Sequence, residues 1–350
     1  METNPYTLSF GMPPYQYISR FAPTSEITEA FMSETPTTHV YMISGIRGSG
    51  KTVLLSNVCN SFSERDEWIV INLIPDTDML TALLSKLYSR GEIKKIITAA
   101  KIDLSVFGLG VSIEKEPIYD QETALERVLE QIAKHGKKVL IGVDEIVNNE
   151  NVRIFAATFQ LLIRQNLPVF LLMTGLYENI YNLQNEDSLT FLYRAPKIQL
   201  EPLSMSSISR NYASVLNLSD SDAQRLAKLT KGYAFAYQVL GYIYWDKNIK
   251  KKLGMSIDEM LPEYDDYLEN YVYEKIWSEL SPRERSVLEY LAEKDEAKVG
   301  DIRDALELSS GQMSVYRDRL IKRGIIKASS YGFVSLLLPR FGELIKRYSI

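Results

Sequence analysis

Residues 45–52 have the sequence GIRGSGKT, and this short stretch limits the possible folds of the chain more than any other feature. It follows an apolar run, HVYMIS, and precedes a segment with apolar residues at helical spacing, KTVLLSNVCNSFSE. A strand, a glycine-rich loop and a helix in this order are the context that the pattern G-x-x-x-x-G-K-[ST] requires. The pattern predicts a loop whose backbone N–H groups enclose phosphate groups.

The residue types at the fixed positions of this pattern, Gly45, Gly50, Lys51 and Thr52, suit such a loop. Glycines allow the backbone angles that turn the N–H groups of about residues 48–53 toward the inside of a curve. The N-terminal end of the following helix adds positive potential, Lys51 can reach the β- and γ-phosphates, and Thr52 can ligate Mg²⁺. The alternative, a glycine-rich turn with a chance lysine, does not account for the strand and the helix on either side.

A second acidic motif ends the segment KKVLIGVDE, residues 137–145. Its apolar residues are consecutive, as in a strand covered on both faces, and two carboxylates follow them. We expect Asp144 to hold Mg²⁺ through water and Glu145 to orient and polarise the water that attacks the γ-phosphate. The alternative is an Asp-Glu pair in a surface turn, but a charged end on a buried strand is costly unless it is used.

Polar residues near two other predicted strands have less specific signals. Thr174 ends LPVFLLMTG and either senses the γ-phosphate or caps the helix that follows. Arg194 precedes the strand near residues 197–200, and it either stabilises transition-state charge, in cis or from a second subunit, or is a surface arginine. The predicted catalytic residues are therefore Glu145, Lys51 and Arg194.

The order of the predicted elements indicates the fold class. Five apolar strands alternate with helices over residues 1–200, which predicts a parallel α/β core, and residues 104–114 predict a glycine-broken hairpin. The sequence of residues 201–278 predicts helices only. These helices are rich in tyrosine, and the tyrosine side chains either form a base-stacking surface or fill helix interfaces. The tyrosines concerned are Tyr237, Tyr242, Tyr244, Tyr264, Tyr267, Tyr271 and Tyr273.

Residues 279–350 have the pattern of a winged helix, which is a capped helix, a helix–turn–helix and a β hairpin. Ser281, Pro282 and Glu284 mark the N-terminus of the first helix. Residues 312–323 are the predicted recognition helix, and residues 329–332 are the predicted tip of the wing. The predicted contacts with double-stranded DNA are Gln312, Ser314, Arg317, Arg319, Lys322, Arg323 and Lys327.

Charge gives only weak support to DNA binding. The chain has a net charge of −5, and residues 281–350 hold 13 Lys/Arg against 10 Asp/Glu. Such a small basic excess is also compatible with a surface that does not bind phosphates. The alternative is that the winged helix binds protein or packs on the chain's own α/β core; self-association or a protein partner is then expected.

Composition disfavours several other classes of protein and site. The single cysteine, Cys59, cannot form an intrachain disulfide, and the two histidines lack the spacing of a zinc site or of a Ser-His-Asp centre. No apolar run approaches the roughly 20 residues needed to span a bilayer. The first 20 residues also lack the pattern of a signal peptide. We expect a cytoplasmic protein without a membrane partner.

These motifs together resemble a known family. The chain is similar to the AAA+/STAND P-loop ATPases, in particular the archaeal-type ATPases and bacterial proteins with an origin-recognition-like AAA domain. The resemblance covers nearly the whole chain and rests on YISR, GIRGSGKT, VLIGVDE, LLMTG, YRAPKIQLEPLS, TKGYAFAYQVLG and the terminal winged helix. It implies an α/β fold with a P-loop NTPase parallel-sheet core, a helical lid and a C-terminal winged-helix domain.

The resemblance also implies a cofactor, ATP with Mg²⁺, and roles for individual residues. Adenine would pack against Tyr17 and Ile18, and Thr174 lies near the first sensor position. Asp144 and Glu145 fall on the Mg²⁺-binding and water-activating carboxylates. The residues that fall on the phosphate loop are Gly48, Ser49, Gly50, Lys51, Thr52 and Val53.

The lid segment departs from the family pattern. Many AAA+ proteins carry a lid arginine that touches the γ-phosphate, and STAND members have a Gly-x-Pro there. The matching stretch here, KGYAFAYQ, has Ala234 at the proline position and no arginine. We therefore expect a slow ATPase that acts as a nucleotide switch for a DNA-binding winged helix. The alternative is a signalling ATPase whose winged helix contacts protein.

Overall fold

The computed structural model describes residues 3–9, 14–109, 120–294 and 296–348. The chain divides into two compact units. The first, here called the sheet unit, comprises Phe21–Ser44 and Lys51–Gln199. The second, the helical unit, comprises Met1–Arg20, Gly45–Gly50 and Leu200–Ile350. The glycine-rich part of the GIRGSGKT motif therefore belongs to the helical unit, and its Lys51 and Thr52 belong to the sheet unit.

The sheet unit is built on five parallel strands in the order β2-β3-β4-β1-β5. All five predicted strands are present, which confirms the parallel α/β class. In chain order its elements are α1 (Phe21–Met32), β1 (Val40–Ser44), α2 (Lys51–Ser63), β2 (Trp68–Leu73), α3 (Met79–Tyr88), α4 (Gly91–Ala99), α5 (Gln121–Lys134), β3 (Lys138–Val143), α6 (Glu150–Arg164), β4 (Val169–Gly175), α7 (Tyr177–Gln184), α8 (Thr190–Arg194) and β5 (Lys197–Gln199).

The burial of the central strands explains their sequence pattern. Strands β1 and β4 are buried at every residue, and β3 at all but its first, so both faces of the sheet are covered. Parallel pairing places the carboxyl ends of neighbouring strands at one edge of the sheet. The register sets Ser44 opposite Gly175 and Val143 opposite Met173. The residues that follow β1, β3 and β4 therefore leave the sheet at the same edge.

Some sequence-based expectations for the sheet unit are wrong or incomplete. Part of the predicted hairpin at residues 104–114 is a 3₁₀ turn, Ser105–Phe107, because the Asp103 carboxylate accepts the Ser105 N–H at 2.9 Å and starts a turn. Residues 110–114 lie outside the described residues. Helices α1, α4 and α8 have no counterpart among the predictions, and each of them buries only one or two residues. Helix α7 is the helix that was predicted to follow Thr174.

The helical unit starts with a block of helices that carries the tyrosine-rich sequence. Tyr237, Tyr264 and Tyr273 are at most 1% exposed, which confirms for these three that tyrosine fills helix interfaces, whereas Tyr271 is 46% exposed. The elements are α9 (Met205–Leu216), α10 (Asp220–Thr230), α11 (Ala234–Tyr244), α12 (Ile257–Leu268) and α13 (Glu274–Ser278), with π-helical turns at Trp245–Lys250 and Glu269–Tyr273.

The C-terminal part of the helical unit is a winged helix, as predicted. Ser281 caps its first helix in a capping box with Glu284, and a three-stranded antiparallel sheet follows in the order β6-β8-β7. The elements are α14 (Pro282–Ala292), β6 (Glu296–Lys298), α15 (Val299–Ala305), α16 (Ser310–Lys322), β7 (Ile326–Ser330), β8 (Phe333–Leu336) and α17 (Phe341–Tyr348). Strand β6 and helix α17 were not among the predicted elements. None of the described helices of either unit is long and apolar enough to cross a membrane.

Cys59 should be unreactive in the folded protein. It lies in α2, is 3% exposed, and burial raises the pKa of its thiol to about 12. Only the thiolate reacts with alkylating agents, so its fraction at pH 8 should be about 10³-fold below that of a free cysteine with a pKa of about 8.5. Mass spectrometry after iodoacetamide treatment checks this. We expect complete alkylation in denaturant and almost none without it; equal alkylation in both would contradict the burial.

Candidate functional site

The loop at residues 45–50 needs glycine at two positions in the helical unit. Gly48 has φ +71° and Gly50 has φ +92°, in the left-handed region that glycine enters without strain. A Cβ at position 48 would lie 2.3 Å from the Tyr233 hydroxyl oxygen and 2.9 Å from the Phe235 Cβ. At position 50 the nearest atom, the Ala234 Cβ, is at 3.7 Å. Space and backbone angle therefore both select glycine at position 48, whereas backbone angle alone selects it at position 50.

Three residues of the helical unit that lie outside the loop donate hydrogen bonds to the loop backbone. The Tyr233 hydroxyl donates to the Arg47 carbonyl, the Phe235 N–H donates to the Gly48 carbonyl at 3.0 Å, and Arg20 Nη2 donates to the Ser49 carbonyl at 2.9 Å. Sequence reasoning missed these roles. Only the position of Tyr233 and Phe235 in the lid stretch KGYAFAYQ could have suggested them, since backbone carbonyls leave no pattern in a sequence.

The surroundings of the Ser49 hydroxyl indicate whether the loop suits a phosphate ligand. It is 6% exposed, and its Oγ hydrogen bonds to no atom of the described residues. Buried polar side chains almost always have a partner, so a hydroxyl without one inside a glycine-rich loop suits an incoming acceptor. A phosphate oxygen is such an acceptor, and the residues present therefore fit the triphosphate chain of a nucleotide.

The carboxyl edge of the sheet unit brings Thr52, Asp144 and Thr174 together. The Thr52 hydroxyl, in the first turn of α2, donates to Asp144 Oδ2 at 2.7 Å. The Thr174 hydroxyl donates to Asp144 Oδ1, although the two residues are 30 positions apart in the chain. A hydroxyl and a carboxylate at this spacing fit Mg²⁺, which binds one or two protein oxygens together with phosphate oxygens. Lys51, next to Thr52, is 8% exposed.

The structure answers one of the two questions about Thr174: it does not cap α7. Thr174 is fully buried in β4, and the N-cap of α7 is Leu176, which forms no side-chain cap. The Thr174 side chain instead contacts Asp144, and its Oγ1 lies 3.3 Å from the Glu145 N–H. Thr174 therefore connects the end of β4 to the acidic residues after β3.

Glu145 follows Asp144 in a backbone conformation that is uncommon for a residue with a side chain. Its φ is +52°, and its N–H lies 3.1 Å from Asp144 Oδ1. The next residue, Ile146, donates its N–H to the Thr174 carbonyl at 2.7 Å and so holds this turn in place. The Glu145 side chain is exposed, and no described residue forms a hydrogen bond or ion pair with its carboxylate. Residues in such conformations cluster at functional sites.

The remaining predicted nucleotide-site residues form none of these contacts. Arg194 is the exposed last residue of α8, and it hydrogen bonds to none of Thr52, Asp144 and Thr174. In the helical unit, Tyr17 is 42% exposed, while Ile18 packs against the apolar core of that unit. The Tyr17 side chain is therefore partly accessible to solvent.

The predicted DNA contacts on the winged helix differ in their surroundings. Arg323 is 12% exposed and lies 3.8 Å from the buried Glu284, and Arg319 lies 3.6 Å from the same carboxylate. Gln312 accepts the Ser309 N–H in a capping box, and Arg317 pairs with Asp318 at 3.1 Å. The other three are exposed on α16 and β7: Ser314, Lys322 and Lys327.

Comparisons with known proteins agree with this architecture. A family model described as a domain of unknown function (DUF8462) matches residues 270–345, which cover the winged helix. No protein of curated function matches the sequence. The Aeropyrum pernix ORC2 protein, in its ADPNP-ADP complexes, has 14% identity and a TM-score of 0.61, covering 97% of this chain and 96% of its own.

A second solved structure has the same fold. Cdc6p from Pyrobaculum aerophilum has 15% identity and a TM-score of 0.50, and 97% of each chain is covered. At these identities the likeness concerns the fold. The chain therefore has the fold of an AAA+ P-loop ATPase of the origin-recognition type, with a parallel-sheet core, a helical lid and a C-terminal winged helix.

Proposed function

We propose that this protein binds ATP with Mg²⁺, hydrolyses it slowly, and uses the nucleotide as a switch for DNA binding by its winged helix. The observation that carries the proposal is the set of contacts around Asp144. Its carboxylate accepts hydrogen bonds from the hydroxyls of Thr52 and Thr174. Of the fold relatives, the Aeropyrum protein forms complexes with ADPNP and ADP. We extend this class of nucleotide to the present chain.

The proposed residues have distinct roles. Lys51 and the loop N–H groups bind the phosphates, Ser49 donates its buried hydroxyl to them, and Thr52 with Asp144 holds Mg²⁺. Bound Mg²⁺ would neutralise charge on the β- and γ-phosphates. Glu145 orients the attacking water. Thr174 positions Asp144, and Arg194, exposed at the end of α8, supplies charge stabilisation in cis or to a second copy.

A contact within the helical unit links the loop to the winged helix. Arg47 forms an ion pair of 3.0 Å with Glu279, which precedes the Ser281 cap of α14. A ligand that binds the loop thus acts next to the point at which the winged helix begins. We propose domain limits of 1–200 for the core, 201–278 for the lid and 279–350 for the winged helix.

The DNA-binding face is proposed to be the exposed side of α16 and the hairpin, with Ser314, Lys322 and Lys327. Tyr331 at the hairpin tip is fully exposed. The positions of Arg319 and Arg323 beside Glu284 support a second role for these arginines, which is to hold α16 against α14. If the face binds protein instead, the chain is a signalling ATPase, and the following experiment separates the two.

Random-sequence duplex DNA should bind the Glu145→Gln protein more tightly with ATP·Mg²⁺ than without nucleotide. We expect the double substitution Lys322→Glu and Lys327→Glu to weaken binding at least about tenfold and to reduce the salt slope by about two, because two phosphate contacts are lost. Fluorescence anisotropy over a salt series measures both quantities.

The matched control is the same double charge reversal at two exposed lysines of the lid region, Lys228→Glu and Lys252→Glu. This control should leave DNA affinity within about threefold of the parent, since both lysines lie outside the proposed DNA-binding face and exposed charges act only weakly beyond a Debye length. An absence of binding at low salt in both nucleotide states would contradict the DNA proposal and favour a protein partner.

A further inference from the structure

Three consecutive carbonyl groups of the phosphate loop accept hydrogen bonds from outside the loop. The donors are Tyr233 for Arg47, Phe235 for Gly48 and Arg20 for Ser49. All these residues belong to the helical unit. A hydrogen bond to the carbonyl oxygen therefore fixes the orientation of each of these three successive peptide planes.

Holding a carbonyl also orients an N–H group. In a trans peptide, the carbonyl of one residue and the N–H of the next point in opposite directions. The Ser49 N–H donates to the Ile46 carbonyl at 3.2 Å, but donors on the carbonyls of residues 47 and 49 direct the N–H groups of Gly48 and Gly50 to the other side of the chain. These are among the N–H groups that the motif uses to enclose phosphates.

Each of the three donors has a further feature that favours its hydrogen bond to the loop. Tyr233 is 6% exposed and stacks with Tyr273, and burial raises the pKa of its hydroxyl, which keeps the proton that it donates. Phe235 lies in the first turn of α11, where backbone N–H groups have no partner within the helix. Arg20 also donates through Nη1 to the Glu201 carbonyl.

The lid stretch contacts the loop backbone but offers no arginine to a γ-phosphate. No arginine occurs between Arg225 and Arg283. The N–H groups of a loop of this pattern enclose the α- and β-phosphates, which ADP and ATP share. A lid that acts through the loop backbone therefore responds to the diphosphate group.

We propose that Tyr233 and Arg20 are positioning residues that, with the N–H of Phe235, preorganise the phosphate loop for a diphosphate group, so that the lid contributes equally to ADP and ATP binding. This inference rests on the proposed nucleotide binding. Removing one donor should weaken both nucleotides by the same factor. A residue that senses the γ-phosphate would affect ATP alone.

Titration calorimetry with ADP·Mg²⁺ and ATP·Mg²⁺, in the Glu145→Gln background, tests the proposal. We expect Tyr233→Phe to raise the Kd of both nucleotides about fivefold, the effect of one lost hydrogen bond of about 1 kcal/mol. The matched control is Tyr237→Phe, which removes an equally buried hydroxyl that donates to Asn211 Oδ1 at 2.7 Å. It should leave both Kd values within about twofold, although it removes a comparable hydrogen bond from the folded state.

A second pair of variants covers the case in which Tyr233→Phe does not fold. Arg20→Ala should weaken both nucleotides about fivefold, and Arg20→Lys, which keeps a donor, should recover most of that loss. Equal Kd values for Tyr233→Phe and Tyr237→Phe, with Arg20→Ala also unchanged, would overturn the inference and leave the proposed function standing. A loss confined to ATP would overturn it as well. If the parent protein binds neither nucleotide, the proposed function fails, and the inference fails with it.

Discussion

Replacing Glu145 with Gln should lower the rate of ATP hydrolysis by about 10²–10³-fold and change the affinity for ATP by less than about threefold. Gln keeps the size of the side chain but cannot polarise the attacking water as a carboxylate does. The Glu145 carboxylate is exposed and bonds to no described residue, so its removal should not disturb the contacts that hold Asp144. Single-turnover hydrolysis and equilibrium binding of ATP measure the two effects separately.

Two further variants test this separation of binding from cleavage. Lys51→Ala should weaken ATP binding by roughly 10–100-fold, because a charge-assisted interaction with the phosphates is lost. Glu150→Gln, which changes an exposed carboxylate in the first turn of α6, should alter neither binding nor rate. Normal turnover by both Glu145→Gln and Lys51→Ala would refute the ATPase proposal.

Gly48→Ala should raise the Kd of ATP at least tenfold, because a methyl group at position 48 strains the backbone, makes close contacts and displaces the loop. The left-handed backbone costs about 1–2 kcal/mol for a residue other than glycine. The methyl group would also lie 2.3 Å from the Tyr233 hydroxyl oxygen and 2.9 Å from the Phe235 Cβ. Relieving these contacts requires the loop to leave the donors that orient its N–H groups. Calorimetric titration with ATP·Mg²⁺ measures the loss.

The control for backbone strain alone is Gly254→Ala. Gly254 has φ +64°, and nothing lies within 4 Å of the position that its Cβ would take. This variant should therefore lose a similar increment of stability to the left-handed backbone but keep its affinity for ATP. If Gly48→Ala binds ATP as tightly as Gly254→Ala does, the contact of the loop with Tyr233 has no part in nucleotide binding.

The strands and the phosphate loop were predictable because their signals are local. Each central strand is a run of consecutive apolar residues, since both faces of the sheet are covered, and the GIRGSGKT motif lies within eight residues. The winged helix was predictable from its Ser281 capping box and its hairpin for the same reason. By contrast, β6 has three residues, too few for any period to be visible, and α8 buries only Leu192.

The sequence by itself therefore determined the fold class and the phosphate-binding motif, because residues close together in the chain carry both. Only the tertiary structure decided which distant groups meet. It placed the Thr174 hydroxyl on Asp144 rather than on a helix cap, and it placed the Tyr233 hydroxyl and the Arg20 guanidinium on the loop carbonyls. Such contacts depend on strand order and helix packing, and backbone carbonyls are the same in every residue type, so no sequence pattern records them.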